Sequence, residues 1–152
     1  MKEKVLWMPF ENEKGLTLIE LMVVIIILGV LATFIVPRFM DQPEKARVAK
    51  ARVEIESLAS AVKMFKLDNG FYPSTEQGLR ALVEKPSVGR IPTHCREGGY
   101  LEKKEVPKDP WGNDYVYLCP SPNGDFEIIS YGADGREGGE GFDADISSQD
   151  VR

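Results

Sequence analysis

An uninterrupted apolar segment near the N-terminus dominates the hydropathy pattern of this chain. Between Leu21 and Val36 no side chain carries a charge, and the nearest acid is Glu20. An apolar run of this length predicts a membrane-spanning helix, which we place at residues 16–37. A carboxylate within a span costs about 2.5–3.5 kcal/mol, so Glu20 requires a partner that stabilises its charge.

A second helical pattern begins beyond Pro37. Apolar residues recur every three or four positions, and charged residues lie off this stripe. The pattern predicts an amphipathic helix that covers a sheet. Together with the apolar segment it predicts one nearly continuous helix from Leu16 to Leu67, about 78 Å long, with bends at Gly29 and Pro37. The stripe consists of Val48, Ala51, Ile55, Leu58, Val62 and Phe65.

The C-terminal part of the chain contains shorter elements. Ser74 and Gln77 have capping-box spacing and predict a short helix that ends near Glu84. Residues 115–118 and 126–131 are β-branched and aromatic runs separated by turn residues, which predicts an antiparallel hairpin. The sequence therefore predicts an α+β fold. Its long N-terminal helix, first transmembrane and then amphipathic, packs on a small antiparallel β-sheet.

Composition argues against several classes of function. The net charge of −5 argues against nucleic-acid binding, which usually needs a basic face. His94 is the only histidine, and no catalytic triad or paired carboxylates can be assembled, so we do not expect an enzyme. Cys95 and Cys119 are too few for a metal cluster. In an oxidising compartment the two cysteines could form one disulfide. The sequence does not decide between this disulfide and two free thiols.

The start of the apolar segment carries a processing pattern. Cleavage after Gly15 would free an α-amino group on Leu16, with a pKa of about 7.7–8, four residues before Glu20. That ammonium is a natural partner for the carboxylate, within the chain or from a neighbouring copy. The segment resembles the class III signal of type IV pilins and pseudopilins. This resemblance implies cleavage between Gly15 and Leu16 by the prepilin peptidase and N-methylation of Leu16.

Two ordinary interpretations of the same segment compete with this one. A signal anchor would keep the segment without cleavage after Gly15. A Sec signal peptide has an apolar region of about 7–15 residues and a small-x-small cleavage site after it. Here the apolar run is longer, and Pro37, Arg38 and Phe39 follow it.

Five later blocks carry a more specific resemblance. In their order along the chain they are similar to the G-type major pseudopilins of type II secretion systems. The resemblance implies a subunit of the periplasmic pseudopilus, which drives export of folded exoproteins across the outer membrane. The implied partners are other copies of the chain, minor pseudopilins, the inner-membrane assembly platform and the prepilin peptidase. The blocks span residues 66–70, 72–79, 98–101, 109–113 and 132–139.

This resemblance also implies an organisation for the chain. Residues 1–15 form the leader, residues 16–37 the transmembrane half of the helix, and residues 38–152 a periplasmic pilin-like domain. The protein would be a single-pass protein of the bacterial inner membrane, and in the fibre Glu20 would pair with the Leu16 ammonium of a neighbour. Two alternatives remain open: a type IV pilus subunit, and a signal-anchored calcium-binding domain that never polymerises.

An acidic, glycine-rich segment near the C-terminus is the candidate metal site. Five acids lie within residues 134–145, among glycines. Calcium takes oxygen ligands from carboxylates and backbone carbonyls, but the spacing is not that of an EF-hand, so a solvated acidic loop is the alternative. The resemblance implies Ca²⁺ in this loop with a structural role. The implied ligands are the carbonyl of Tyr131 and the side chains of Asp134, Asp143 and Asp145.

Overall fold

The computed structural model describes residues 15–150, with side chains described outside residues 33–40. The chain divides into two compact units, Met1–Asp41 and Gln42–Arg152. The predicted leader lies outside the described residues except for Gly15. We describe each unit by itself.

The first unit contains the helix α1, Leu18–Met40. The large apolar side chains of α1 between Leu18 and Leu31 are 47–78% exposed, so apolar surface extends around this part of the helix. Among the described residues, no helix combines the length and the hydropathy that crossing a membrane requires. The span over residues 16–37 stays a prediction.

The second unit begins with the helix α2, Gln42–Asn69. The predicted long helix is interrupted at one residue, because a turn at Asp41 separates α1 from α2. Pro43 explains the break, since it has no N–H to donate and its ring clashes with the carbonyl four residues earlier. Gly29 and Pro37, the predicted bends, both lie inside α1.

The predicted α+β fold is confirmed. Helix α2 packs on a three-stranded antiparallel sheet with the order β1-β2-β3. Val116 pairs with Ile129 across the first two strands, and Ser130 pairs with Ile146 across the last two. The strands are β1 Val116–Leu118, β2 Glu127–Ser130 and β3 Ile146–Ser147.

The core lies between α2 and the sheet. The predicted stripe of α2 is buried except for Val48, which is half-buried. Phe65 is fully buried and contacts Phe71 edge-on and Tyr100, with ring centroids 5.7 and 5.4 Å away. Because the buried apolar residues of the core all belong to the second unit, this unit has a hydrophobic core of its own.

The short helix predicted after Ser74 is smaller than expected. The Ser74 N–H donates to Gln77 Oε1, and the Gln77 N–H contacts Ser74 Oγ, so the capping-box contacts form. A turn follows them, and the only helix there is a 3₁₀ helix, Leu79–Leu82. The Gln77 side chain is buried, and its amide also donates to the carbonyls of Val88 and Arg90. These hydrogen bonds fix the loop that follows the 3₁₀ helix.

Glu127 is a buried carboxylate at the start of β2. It accepts hydrogen bonds from Ser147 Oγ at 2.6 Å, from Ser121 Oγ at 2.7 Å and from Asn123 Nδ2 at 3.2 Å. The Ser147 hydroxyl lowers the pKa of Glu127 most, burial opposes this shift, and Ser121 and Asn123 lower the pKa further. The ionised carboxylate therefore ties the β1–β2 connection to β3.

We expect Glu127 to make the stability of the domain depend on pH. The pKa of Glu127 is lower in the folded chain than in the unfolded chain. Its contribution to the free energy of unfolding is therefore fully present above the unfolded pKa of about 4.3, and it is lost as the pH falls through the folded pKa. Glu127→Gln should lower the free energy of unfolding at neutral pH by about 1–2 kcal/mol. Below about pH 4.3, the free energy of unfolding of this variant should fall less steeply with pH than that of the unmodified domain. Urea unfolding across this range measures both effects, with the exposed Glu76→Gln as control. An equally steep loss in Glu127→Gln would contradict the assignment.

Candidate functional site

The N-terminus of α1 is closed by a reciprocal capping box. Glu20 Oε2 accepts from the Thr17 N–H and from Thr17 Oγ1, both at 3.0 Å. The Glu20 N–H donates to Thr17 Oγ1 at 3.2 Å. The predicted assembly residue Glu20 therefore already has a partner within the chain. The sequence analysis missed Thr17, although Thr-x-x-Glu has the spacing of a capping box.

The predicted cleavage bond lies outside the helix. Gly15, Leu16 and Thr17 have no regular secondary structure and are exposed. A Cβ added to Gly15 would meet no atom within 4 Å, so packing within the described chain does not explain a glycine there. This exposed backbone outside the helix suits a bond that a peptidase must reach.

Two glycines shape the acidic segment. Gly132 and Gly139 adopt positive φ angles of 63° and 87°, which L side chains rarely adopt. A Cβ on either residue would lie within 3 Å of the backbone of Asp143. The chain therefore passes Asp143 closely on two sides, and the Ala133 N–H donates to the Phe142 carbonyl at 3.0 Å to close the loop.

The predicted calcium ligands occupy this loop but do not converge. Asp134 Oδ1 accepts from the Arg136 N–H, and Asp145 Oδ2 accepts from the Gly138 N–H, both at 3.0 Å. Asp143 is exposed, and Tyr131 is half-buried at the start of the loop. Within residues 15–150, no three His, Cys, Asp or Glu side chains form a group that could hold a metal ion.

One oxygen in the loop lacks a partner. Asp145 Oδ1 is buried, and no donor among the described residues reaches it. Burying a carboxylate oxygen without a hydrogen bond costs free energy. Asp145 therefore fits a cation at this end of the loop.

A buried aspartate holds the turn beside the loop. Asp109 Oδ1 accepts from the N–H groups of Trp111 and Asn113 at 3.1 and 2.7 Å, and Asp109 Oδ2 accepts from Ser130 Oγ at 2.8 Å. Asn113 Nδ2 then reaches the Gly132 carbonyl at 3.4 Å. Asp109 thus connects the turn to β2 and, through Asn113, to the acidic loop. The sequence analysis included residues 109–113 among its five blocks but assigned no role to Asp109.

Trp111 packs against the core. The Trp111 side chain is half-buried, and its indole Nε1 donates a hydrogen bond to Glu44 Oε2 at 2.9 Å. Glu44 also pairs with Arg47 at 2.7 Å. The contact ties the turn to the first turn of α2.

Cys95 is exposed and Cys119 is half-buried, and the structure has both as free cysteines, while the disulfide between them stays untested. The two cysteines are held by different partners. The N–H of Cys119 donates to Thr75 Oγ1 at 2.8 Å, whereas the loop of Cys95 is fixed by its neighbour Arg96, which pairs with Asp68 at 2.7 Å. Beside them, His94 is exposed.

Two family models match consecutive parts of the chain. "Prokaryotic N-terminal methylation motif" matches residues 11–36, and "Type II secretion system (T2SS), protein G" matches residues 38–149. The first contains Gly15 and Glu20, and the second contains the sheet and the acidic loop. Both matches agree with the resemblance found in the sequence.

Relatives and a solved structure agree with the family models. "Type II secretion system core protein G" of Pseudomonas aeruginosa is 50% identical over 143 residues, 94% of this chain and 99% of the relative. The Vibrio cholerae protein of that name is 51% identical, over 93% of this chain and 94% of the relative. The crystal structure of the major pseudopilin from the type 2 secretion system of enterohaemorrhagic Escherichia coli is 40% identical, covers 75% of this chain and 92% of that chain, and has a TM-score of 0.66. The chain belongs to the protein G family of type II secretion systems, the family of the major pseudopilins.

Proposed function

We propose that this chain is the major structural subunit of a type II secretion pseudopilus, which polymerises to drive export of folded exoproteins across the outer membrane. The observation that carries the proposal is the family match across nearly the whole chain, including the N-terminal methylation motif. In this role the protein is a building block and not a catalyst.

The finer steps of assembly belong to the proposal. The prepilin peptidase cleaves between Gly15 and Leu16 and methylates the new amine of Leu16. Helix α1 anchors the subunit in the bacterial inner membrane, with the second unit in the periplasm, until the assembly platform extracts it. The exposed apolar surface of α1 supports both states, because lipid or neighbouring copies can cover it. Minor pseudopilins complete the fibre.

Glu20 sets the register of the subunits in this proposal. Before cleavage its carboxylate is held by Thr17. In the fibre it pairs with the Leu16 ammonium of a neighbouring copy. Removal of one partner from such a pair in apolar surroundings costs about 3–5 kcal/mol. Arrangements of neighbouring subunits in which either charge is unpaired are therefore disfavoured.

We further propose that the acidic loop holds Ca²⁺. Asp134, Asp143, Asp145 and the Tyr131 carbonyl would be the ligands, and the unpartnered Asp145 Oδ1 supports this assignment. The ion would offset the repulsion between the acids of the loop. The role of the ion is structural. A calcium ion that binds only the folded chain stabilises the fold by about 2.7 kcal/mol when the free calcium concentration is a hundred times the dissociation constant.

Thermal unfolding of residues 42–152 in EDTA and in calcium tests the metal site. We expect calcium to raise the melting temperature by several degrees, and Asp145→Asn to remove most of this shift, because the amide lacks the charge. Asp114→Asn is the control, since Asp114 is an exposed acid outside the loop. An equal calcium shift in Asp145→Asn would show that the ion binds elsewhere, and no shift in the unmodified domain would contradict the calcium site.

A further inference from the structure

The turn between β1 and β2 carries an Asn-Gly pair, Asn123-Gly124, and both residues are exposed. Ser121 and Gly124 pair across the turn: the Ser121 N–H donates to the Gly124 carbonyl at 3.1 Å, and the Gly124 N–H donates to the Ser121 carbonyl at 3.3 Å. The atom nearest to a Cβ added at Gly124 would be Gln149 Nε2, at 3.4 Å. The backbone nitrogen that follows Asn123 therefore lies in an open turn that water reaches.

An Asn-Gly pair in an open turn can deamidate without an enzyme. The Gly124 nitrogen attacks Cγ of Asn123, so that a Cγ–N bond forms and the Cγ–Nδ2 bond breaks. The proton of the Gly124 nitrogen leaves with the Nδ2 amide group as ammonia. Water then adds to either carbonyl of the resulting cyclic imide and opens the ring, which leaves an aspartyl or an isoaspartyl residue. Glycine favours the attack because it has no side chain to shield its nitrogen and the most permissive backbone.

A second Asn-Gly pair, Asn69-Gly70 at the end of α2, is held much more firmly. Asn69 Nδ2 donates to the Tyr100 hydroxyl, and Asn69 Oδ1 accepts from the His94 N–H, both at 3.1 Å. The Gly70 N–H donates to the Lys66 carbonyl at 2.7 Å. Because these hydrogen bonds must break before the Gly70 nitrogen can attack, deamidation of Asn69 requires local opening of the helix end. The two pairs share one chemistry and differ in their surroundings.

The Asn123 amide also contacts the buried Glu127 carboxylate. Asn123 Nδ2 lies 3.2 Å from Glu127 Oε2 and 3.4 Å from Oε1. An aspartyl carboxylate in place of this amide has no proton to donate, and its charge repels that of Glu127. An isoaspartyl residue lengthens the backbone and disturbs the pairing of Ser121 with Gly124. Since Glu127 also accepts from Ser147 Oγ of β3 at 2.6 Å, either product weakens the connection between the turn and β3.

We propose that Asn123 is a site of spontaneous deamidation, and that its conversion places a second carboxylate against Glu127 and loosens β3 from the turn. The inference stands apart from the proposed function, because it depends only on contacts within the second unit. Each conversion adds one negative charge to the chain and lowers the stability of the domain. The turn therefore marks the age of a subunit by charge and by stability.

Peptide mapping by mass spectrometry tests the site in the folded full chain, purified in detergent and incubated at mildly alkaline pH. Trypsin separates the two pairs, because Asn123 lies in the peptide 109–136 and Asn69 in the peptide 67–80. We expect Asn123 to deamidate at least about tenfold faster than Asn69, whose hydrogen bonds contribute about 1 kcal/mol each. In denaturant the two rates should become similar. Equal rates in the folded chain would overturn the site.

Gly124→Ala is the matched variant for the chemistry. It keeps Asn123 and its contact with Glu127, and it fits the turn because the φ angle of Gly124 lies outside the positive range. The added methyl group shields the attacking nitrogen, so we expect deamidation of Asn123 to slow severalfold while that of Asn69 stays unchanged. An unchanged rate at Asn123 would contradict attack by this nitrogen.

Two substitutions of Asn123 test the consequence. Asn123→Asp reproduces the aspartyl product, whereas Asn123→Ala removes the amide without adding a charge. We expect Asn123→Asp to lower the melting temperature of residues 42–152 by several degrees, and by more than Asn123→Ala does, because only the carboxylate repels Glu127. The deamidated fraction of aged protein, separated by ion exchange, should melt at a reduced temperature too. A melting temperature of Asn123→Asp no lower than that of Asn123→Ala would contradict the proposed repulsion.

Discussion

Glu20→Leu should abolish pseudopilus assembly while leaving cleavage after Gly15 intact. The substitution removes the only carboxylate that can pair with the Leu16 ammonium of a neighbour in the apolar segment. An ammonium left unpaired there costs about 3–5 kcal/mol, which corresponds to a loss of at least about a hundredfold in polymer. Fibre sheared from cells and quantified by immunoblot measures the loss, and the mass of the subunit reports cleavage.

Two further variants separate the charge of Glu20 from its capping role. Glu20→Gln keeps an oxygen that can accept from the Thr17 N–H but removes the charge, so we expect it to be as defective as Glu20→Leu. Thr17→Val keeps the charge and removes the hydroxyl that bonds Glu20, so it should cost only a helix cap, about 0.5–2 kcal/mol. Normal assembly of Glu20→Gln would contradict the charge pair.

Asp109→Ala should cause a large loss of stability in the second unit. It leaves the half-buried N–H groups of Trp111 and Asn113 and the buried Ser130 hydroxyl without their acceptor. Unsatisfied buried donors cost about 1–3 kcal/mol each, so we expect a total of roughly 3 kcal/mol or more. For a domain of this size that lowers the melting temperature by roughly 10–15 °C. Differential scanning calorimetry of residues 42–152 measures it.

Asp109→Asn is the matched control for this prediction. Its amide oxygen can still accept from both N–H groups, and its nitrogen can donate to the Ser130 hydroxyl, so the loss should be much smaller. Because Asn113 reaches the Gly132 carbonyl, Asp109→Ala should also weaken the calcium binding that we propose for the acidic loop. Equal melting temperatures for Asp109→Ala and the unmodified domain would show that the turn does not support the fold.

Periodicity was sufficient to predict the helices and the main strands. The buried stripe of α2 follows directly from apolar spacing, since Ile55, Leu58 and Phe65 must face the sheet together. The break at Asp41 was missed, because the apolar segment suggests a longer helix than Pro43 allows. Strand β3 was missed because two residues, Ile146–Ser147, carry no periodic signal and pair only through the tertiary fold.

The candidate sites were predictable to different degrees. Gly15 and Glu20 lie in a local motif whose spacing can be read from the chain, and Thr17 could have been found in the same way. The acidic loop was identified by its composition. Its internal arrangement depends on contacts between distant residues, such as Asn113 with Gly132, which spacing does not reveal.

The central claim is that this chain is the polymerising subunit of the pseudopilus. Fibres sheared from cells that express the full chain with its secretion machinery test this claim most directly, by mass spectrometry of the purified polymer. The account predicts that this chain is the predominant component and that its N-terminal residue is Leu16, methylated at the amine. Fibres that lack the chain, or a chain that stays monomeric and keeps its residues before Leu16, would contradict it.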